Sequence, residues 1–65
     1  MGKVKLKIRM PLIFKENPTW YDVGDEFEVV DEKFMPMVGK CYKLKYAGCV
    51  FDGFYNSNNF EETDN

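Results

Sequence analysis

Eight consecutive residues near the N-terminus, Lys3-Val4-Lys5-Leu6-Lys7-Ile8-Arg9-Met10, alternate strictly between a cation and an apolar side chain. Successive side chains of a β-strand point to opposite faces, so this period of two predicts a half-buried strand with Val4, Leu6, Ile8 and Met10 inward. A helix would scatter the same residues around its axis. The chain has 65 residues, enough for one small domain that buries only about 60% of the surface its unfolded chain exposes. One thin core, built on at least one strand with a wet face, is therefore the only architecture open to it.

Further strands follow from the same reasoning. Pro11 lacks a backbone donor and predicts the end of the first strand, and the stretch to Asp22, which contains Asn17-Pro18-Thr19, reads as a long loop. Gly24-Asp25 turns the chain into a second strand, Glu26-Phe27-Glu28-Val29-Val30-Asp31, with Phe27 and Val29 inward. In Lys40 to Phe54, a two-residue turn at Ala47-Gly48 sets Tyr46 against Cys49, Leu44 against Phe51 and, on the other face, Lys43 against Asp52. A three-residue turn would move Asp52 to the core face, where an unpaired carboxylate is costly. Tyr55-Asn56-Ser57-Asn58-Asn59 suits one tight helical turn, and Phe60-Glu61-Glu62 a short closing strand. No stretch has the apolar spacing of a ten-residue helix.

Residue content narrows the chemistry. His is absent, so neither Cys41 nor Cys49 has the customary base of a thiol nucleophile, and their spacing is not that of a zinc site. The predicted hairpin holds the two cysteines farther apart than a disulfide spans, so both are expected as thiols. The acidic residues Glu16, Asp22, Asp25, Glu26 and Glu28 lack the regular ligand spacing of a calcium loop. No enzyme activity, cofactor or metal is expected. No apolar run approaches 18 residues and no signal-peptide pattern is present, which predicts a cytoplasmic protein without a membrane partner.

Charge comes in blocks: +5 over residues 1–15, −7 over 16–32, +4 over 33–45 and −4 over 46–65. Strands of opposite sign laid side by side neutralise each other, which is the ordinary expectation for such blocks. Lys3, Lys5, Lys7 and Arg9 could instead follow a nucleic-acid backbone, although a sequence pI near 5.0 opposes that reading.

The order strand, long loop, strand, loop, hairpin, tight turn, strand is similar to that of SH3-like small β-barrels. Gly24-Asp25-Glu26-Phe27-Glu28-Val29-Val30 resembles their second strand. Tyr42-Lys43-Leu44, Ala47-Gly48 and Phe51 resemble the third strand, distal turn and fourth strand, and Tyr55 to Glu61 the 3₁₀ turn and last strand. The chain also resembles short phage and bacterial proteins of this kind. The resemblance implies an all-β fold: a five-stranded SH3-like barrel with a long first loop and a short 3₁₀ turn before the last strand. It would fill residues 1–62 as one domain and leave 63–65 as a frayed tail. The Trp and Pro of the proline-rich-peptide groove are replaced here by Cys41-Tyr42 and Tyr55-Asn56, and Trp20 stands instead in the long loop.

A thin barrel is filled by Val4, Leu6, Ile8, Met10, Phe27, Val29, Tyr42, Leu44, Tyr46, Phe51 and Phe60. The chain has eleven aromatic residues and four methionines, and the surplus falls in the two loops and before the 3₁₀ turn. Lys33-Phe34-Met35-Pro36-Met37-Val38-Gly39 is the sharpest segment, an aromatic and two flexible thioethers around a proline. Trp20, Tyr21, Phe34, Met35, Met37 and Tyr55 are thus the candidate partner-binding residues of a non-catalytic protein–protein interaction module. The resemblance implies a phage-encoded protein that binds and inhibits or redirects a host protein. The alternatives are a nucleic-acid-binding module of the SH3-like, KOW type and a self-associating structural component.

Overall fold

The computed structural model describes residues 2–63. Strand β1 (Lys3–Leu6) keeps the predicted alternation, with Val4 and Leu6 buried and Lys3 and Lys5 exposed. It stops four residues earlier than the pattern implies. The N–H of Leu6 donates to Asp25 O and its C=O accepts from Gly24 N–H, while Lys7 N–H donates to Asn59 O, so the backbone bends away. Ile8, expected in the core, is 55% exposed as a result.

In place of the predicted long loop stands a hairpin of β2 (Met10–Phe14) and β3 (Asn17–Tyr21). Its turn residues Lys15 and Glu16 have φ of 49° and 70°, the left-handed pair of a type I′ turn. Two prolines within a ladder need an explanation. The N–H of Ile13 donates to the Tyr55 hydroxyl and its C=O accepts from Asp52 N–H, so Ile13 points away from β3. Pro18 opposite it, and Pro11 two residues earlier, therefore occupy positions that make no ladder bond, where the missing N–H costs nothing. Leu12, between them, faces inward and is wholly buried.

The main sheet holds β1, β4 (Glu26–Met35), β5 (Gly39–Tyr46), β6 (Cys49–Val50), β7 (Tyr55–Asn56) and β8 (Phe60–Thr63). The fold is all-β, with eight strands in two sheets among the described residues where five strands were expected. The expected turn at Ala47-Gly48 forms, with φ of 50° and 82°, Tyr46 lies opposite Cys49, and Phe51 N–H donates to Leu44 O at 2.9 Å. Asp52 departs from its expected place beside Lys43: its carboxylate accepts from Glu16 N–H at 3.0 Å and fastens the β2–β3 turn. Tyr46, predicted inward, is about half exposed, and Met10 is half-buried. Cys41 and Cys49 are free thiols.

The 3₁₀ turn Ser57–Asn59 explains the shape of the sheet. It joins β7, which pairs with β5, to β8, which pairs with β1, across the order β5-β4-β1-β8. A flat sheet would hold β7 and β8 roughly 19 Å apart at about 4.8 Å per strand. Three 3₁₀ residues advance only about 6 Å. The sheet is therefore rolled, yet its ladder is not closed. Inside the roll lie Val4, Leu6, Phe27, Val29, Tyr42, Leu44, Phe51 and Phe60, and Leu12 of the hairpin completes this cluster. Phe27 meets Tyr21, Phe51 and Phe60 edge to face at 5.1, 5.9 and 6.3 Å between ring centres.

On the outer face the charge blocks align as expected. Lys3 lies opposite Glu28, Lys5 between Glu26 and Glu61, Lys45 opposite Glu28 and Lys43 opposite Asp31. Strand β8 extends through Thr63, whose hydroxyl donates to Lys3 O at 3.2 Å. Asp64 and Asn65 lie outside the described residues. Among the described residues no helix is long and apolar enough to cross a membrane.

Candidate functional site

The six residues singled out from the sequence divide into two groups. Tyr21 and Tyr55 serve the fold. The Tyr21 ring packs edge-on against Phe27, Tyr46 and Phe51, and burial, followed by the nearby Tyr46, raises its hydroxyl pKa. The Tyr55 hydroxyl donates to Asp52 O at 2.7 Å and accepts from Ile13 N–H at 2.9 Å, latching the β2–β3 hairpin to the main sheet. Burial raises its pKa as well, opposed by the bond from Ile13.

Phe34, Met35 and Met37 share the far end of the β4–β5 hairpin. The sequence predicted a loop there, but the ladder continues as far as Phe34 opposite Lys40 and Met35 opposite Gly39. Among the described residues, β1 pairs with β4 from Glu26 to Glu28 with one further bond from Val29 N–H to Gly2 O, and β7 reaches Cys41 and Tyr42 of β5. Beyond these partners the hairpin projects as a two-stranded finger. Phe34 is 77% exposed and Met37 105%, Val38 is also exposed, and Met35 is half-buried.

The tip has a defined conformation. Val38 N–H donates to Met35 O at 3.1 Å, Pro36 fixes the first central position, and Met37 holds φ 69° at the second. This is a type II turn, whose second central position favours Gly or Asn. A methionine there incurs the left-handed penalty of about 1–2 kcal/mol and returns no burial.

Cations surround the base of the finger. The ammonium groups of Lys33 and Lys43 each lie 5.5 Å from the centre of the Phe54 ring. Lys40 bridges Glu32 at 3.6 Å and Glu62 at 3.9 Å and lies over Tyr42. Burial raises the Tyr42 pKa, and Lys40 opposes that shift.

Trp20 sits apart, on the β2–β3 hairpin, and is 55% exposed. The Arg9 guanidinium stacks over its ring at 4.6 Å and pairs with Asp22 at 3.2 Å. The register also places Pro11 opposite Trp20 and Ile13 opposite Pro18 on the face away from Leu12. This apolar quartet was invisible in sequence, because it exists only once the segment is read as a hairpin.

Two shallow depressions, of about 220 and 120 Å³, are lined by mixed charged and apolar residues of the main sheet. Among the described residues no three Asp, Glu or Cys side chains are grouped to hold a metal ion. Compared with family models, curated proteins and solved structures, the chain matches none.

Proposed function

We propose that this chain is a small SH3-like module, a rolled barrel without catalytic chemistry, that binds another protein through the end of its β4–β5 hairpin. The supporting observation for contact is the tip itself: Phe34, Met37 and Val38 are exposed together on a projecting finger, and Met37 is held there at a cost in backbone strain. Large apolar groups at the centre of an interface usually dominate its affinity. Met35 contributes at the margin, and Trp20 with its stacked Arg9 forms a second apolar surface on the other hairpin. Tyr21 and Tyr55 act indirectly, by holding the fold. On the sequence resemblance alone, the reading extends to a host protein of a phage as the partner, located in the cytoplasm.

A nucleic-acid role has less support. Lys3 and Lys5 stand opposite Glu26, Glu28 and Glu61 on the same face, so their field is largely cancelled. Capture from a lysate of the cells that contain the protein tests the reading, with wild type compared against Phe34→Ala plus Met37→Ala. Both side chains are exposed, so the variant keeps its fold. It is expected to lose the specific partner, and retention of every partner would overturn the assignment.

A further inference from the structure

We propose that the edge of β4 from Asp31 to Met35, with which no described residue pairs, accepts an extended strand of the partner protein, antiparallel, with a defined charge pattern. This rests on the reading that the β4–β5 hairpin meets protein. The backbone phase can be followed along the strand. Val29 N–H donates outward to Gly2 O, and its opposite residue Leu44 accepts from Phe51 on the far side, so this pair makes no ladder bonds. With a period of two along β5, Tyr42 opposite Glu32 and Lys40 opposite Phe34 repeat that phase. Glu32 and Phe34 thus turn their N–H and C=O to the open edge. Consistent with this, Glu32 N–H is taken by the Asp31 carboxylate at 2.9 Å, where a partner's carbonyl would sit in a longer sheet.

A second copy of the chain is a poor occupant. A two-fold pairing centred on Glu32 sets two carboxylates opposite each other, and one centred on Lys33 sets two ammonium groups opposite each other. Centred on Phe34, the pairing runs into Pro36, which has no N–H to give. The edge is protected against itself. A different strand meets no like-charge or proline conflict and has only to displace the Asp31 carboxylate from the Glu32 N–H. Opposite Met35, Phe34, Lys33, Glu32 and Asp31, in that order, complementarity calls for apolar, apolar, acidic, basic and basic residues from N- to C-terminus.

The test uses a blocked peptide with the core Ile-Val-Glu-Lys-Lys and a charge-swapped control, Ile-Val-Lys-Glu-Glu, titrated against the whole chain. Hydrogen exchange is read at the Phe34 amide. The first peptide is expected to protect that amide at millimolar concentration, the control to bind about tenfold more weakly, and Phe34→Pro, which removes the outward N–H and is read by the binding titration itself, to lose peptide binding. No protection at millimolar peptide, equal binding of the control, or unchanged peptide binding by Phe34→Pro would each overturn strand addition. If the partner is lost from Phe34→Ala plus Met37→Ala while the peptide gives no protection, side chains alone make the contact. If that variant keeps every partner, it is the underlying reading that fails.

Discussion

Replacing Met37 by Gly or Asn isolates the energetic argument for the finger. At φ 69° a methionine bears about 1–2 kcal/mol of left-handed strain. Its side chain is fully exposed, so truncation forfeits no burial. Glycine relieves the strain but adds roughly 0.5–1 kcal/mol of unfolded-state entropy, whereas asparagine tolerates the conformation without that cost. Met37→Asn should therefore stabilise the protein by about 0.5–1 kcal/mol, and Met37→Gly by less. For a domain of this size that corresponds to a rise in Tm of very roughly 2–8 °C. Urea unfolding followed by far-UV circular dichroism measures it, with equal m-values showing that only stability has changed. A loss of more than about 0.5 kcal/mol in both variants would refute the reasoning, because it would mean that Met37 earns its place by packing within the chain. The same substitution should weaken partner binding, so that stability and binding move in opposite directions.

The remaining predictions concern the fold that carries the finger. Leu12→Ala should cost about 2–5 kcal/mol, a large share of the total stability of a 65-residue domain, while Ile8→Ala stays within about 0.5 kcal/mol; denaturant midpoints of the two variants decide whether the core is placed correctly. Tyr55→Phe strands the Ile13 N–H and the Asp52 carbonyl and should cost about 1–3 kcal/mol, with faster exchange of the Ile13 amide as the local signature. Burial raises the hydroxyl pKa of Tyr21, Tyr42 and Tyr55 above the usual 10.0. Their contribution to stability is then complete below pH 10 and is lost as pH climbs through the folded-state values, so unfolding free energies should fall on the alkaline side, and less steeply in Tyr55→Phe. Trp20 is the only tryptophan, and Arg9→Ala should change its emission while costing no more than about 1 kcal/mol.

Where the sequence carried a local signal, the structure follows it. The alternation at Val4 and Leu6, the inward pair Phe27 and Val29, and the register around Ala47-Gly48 rest on a period of two and on one glycine turn. Ile8 was misread because the alternation continues past the point where Asp25 and Asn59 take up the backbone, and those long-range bonds leave no mark on residues 7–9. The β2–β3 hairpin was hidden for two reasons. Lys15-Glu16 adopts a turn that usually advertises itself with Asn or Gly, and its prolines fall at the only phase that tolerates them. Of the candidate site, Phe34 and Met37 were legible as apolar surplus beside Pro36, whereas the separation of Tyr21 and Tyr55 from the exposed set depends on contacts across the fold.

A photoreactive methionine analogue at position 37, compared with a photoreactive residue at Ile8, addresses the contact most directly, since both positions are exposed and lie on different parts of the chain. Irradiation in a lysate of the cells that contain the protein should join position 37 to one discrete protein, and excess unlabelled wild type should suppress the product where Phe34→Ala plus Met37→Ala does not. Labelling from Ile8 alone, or equal labelling of many proteins from both sites, would contradict the claim that the finger is the binding surface.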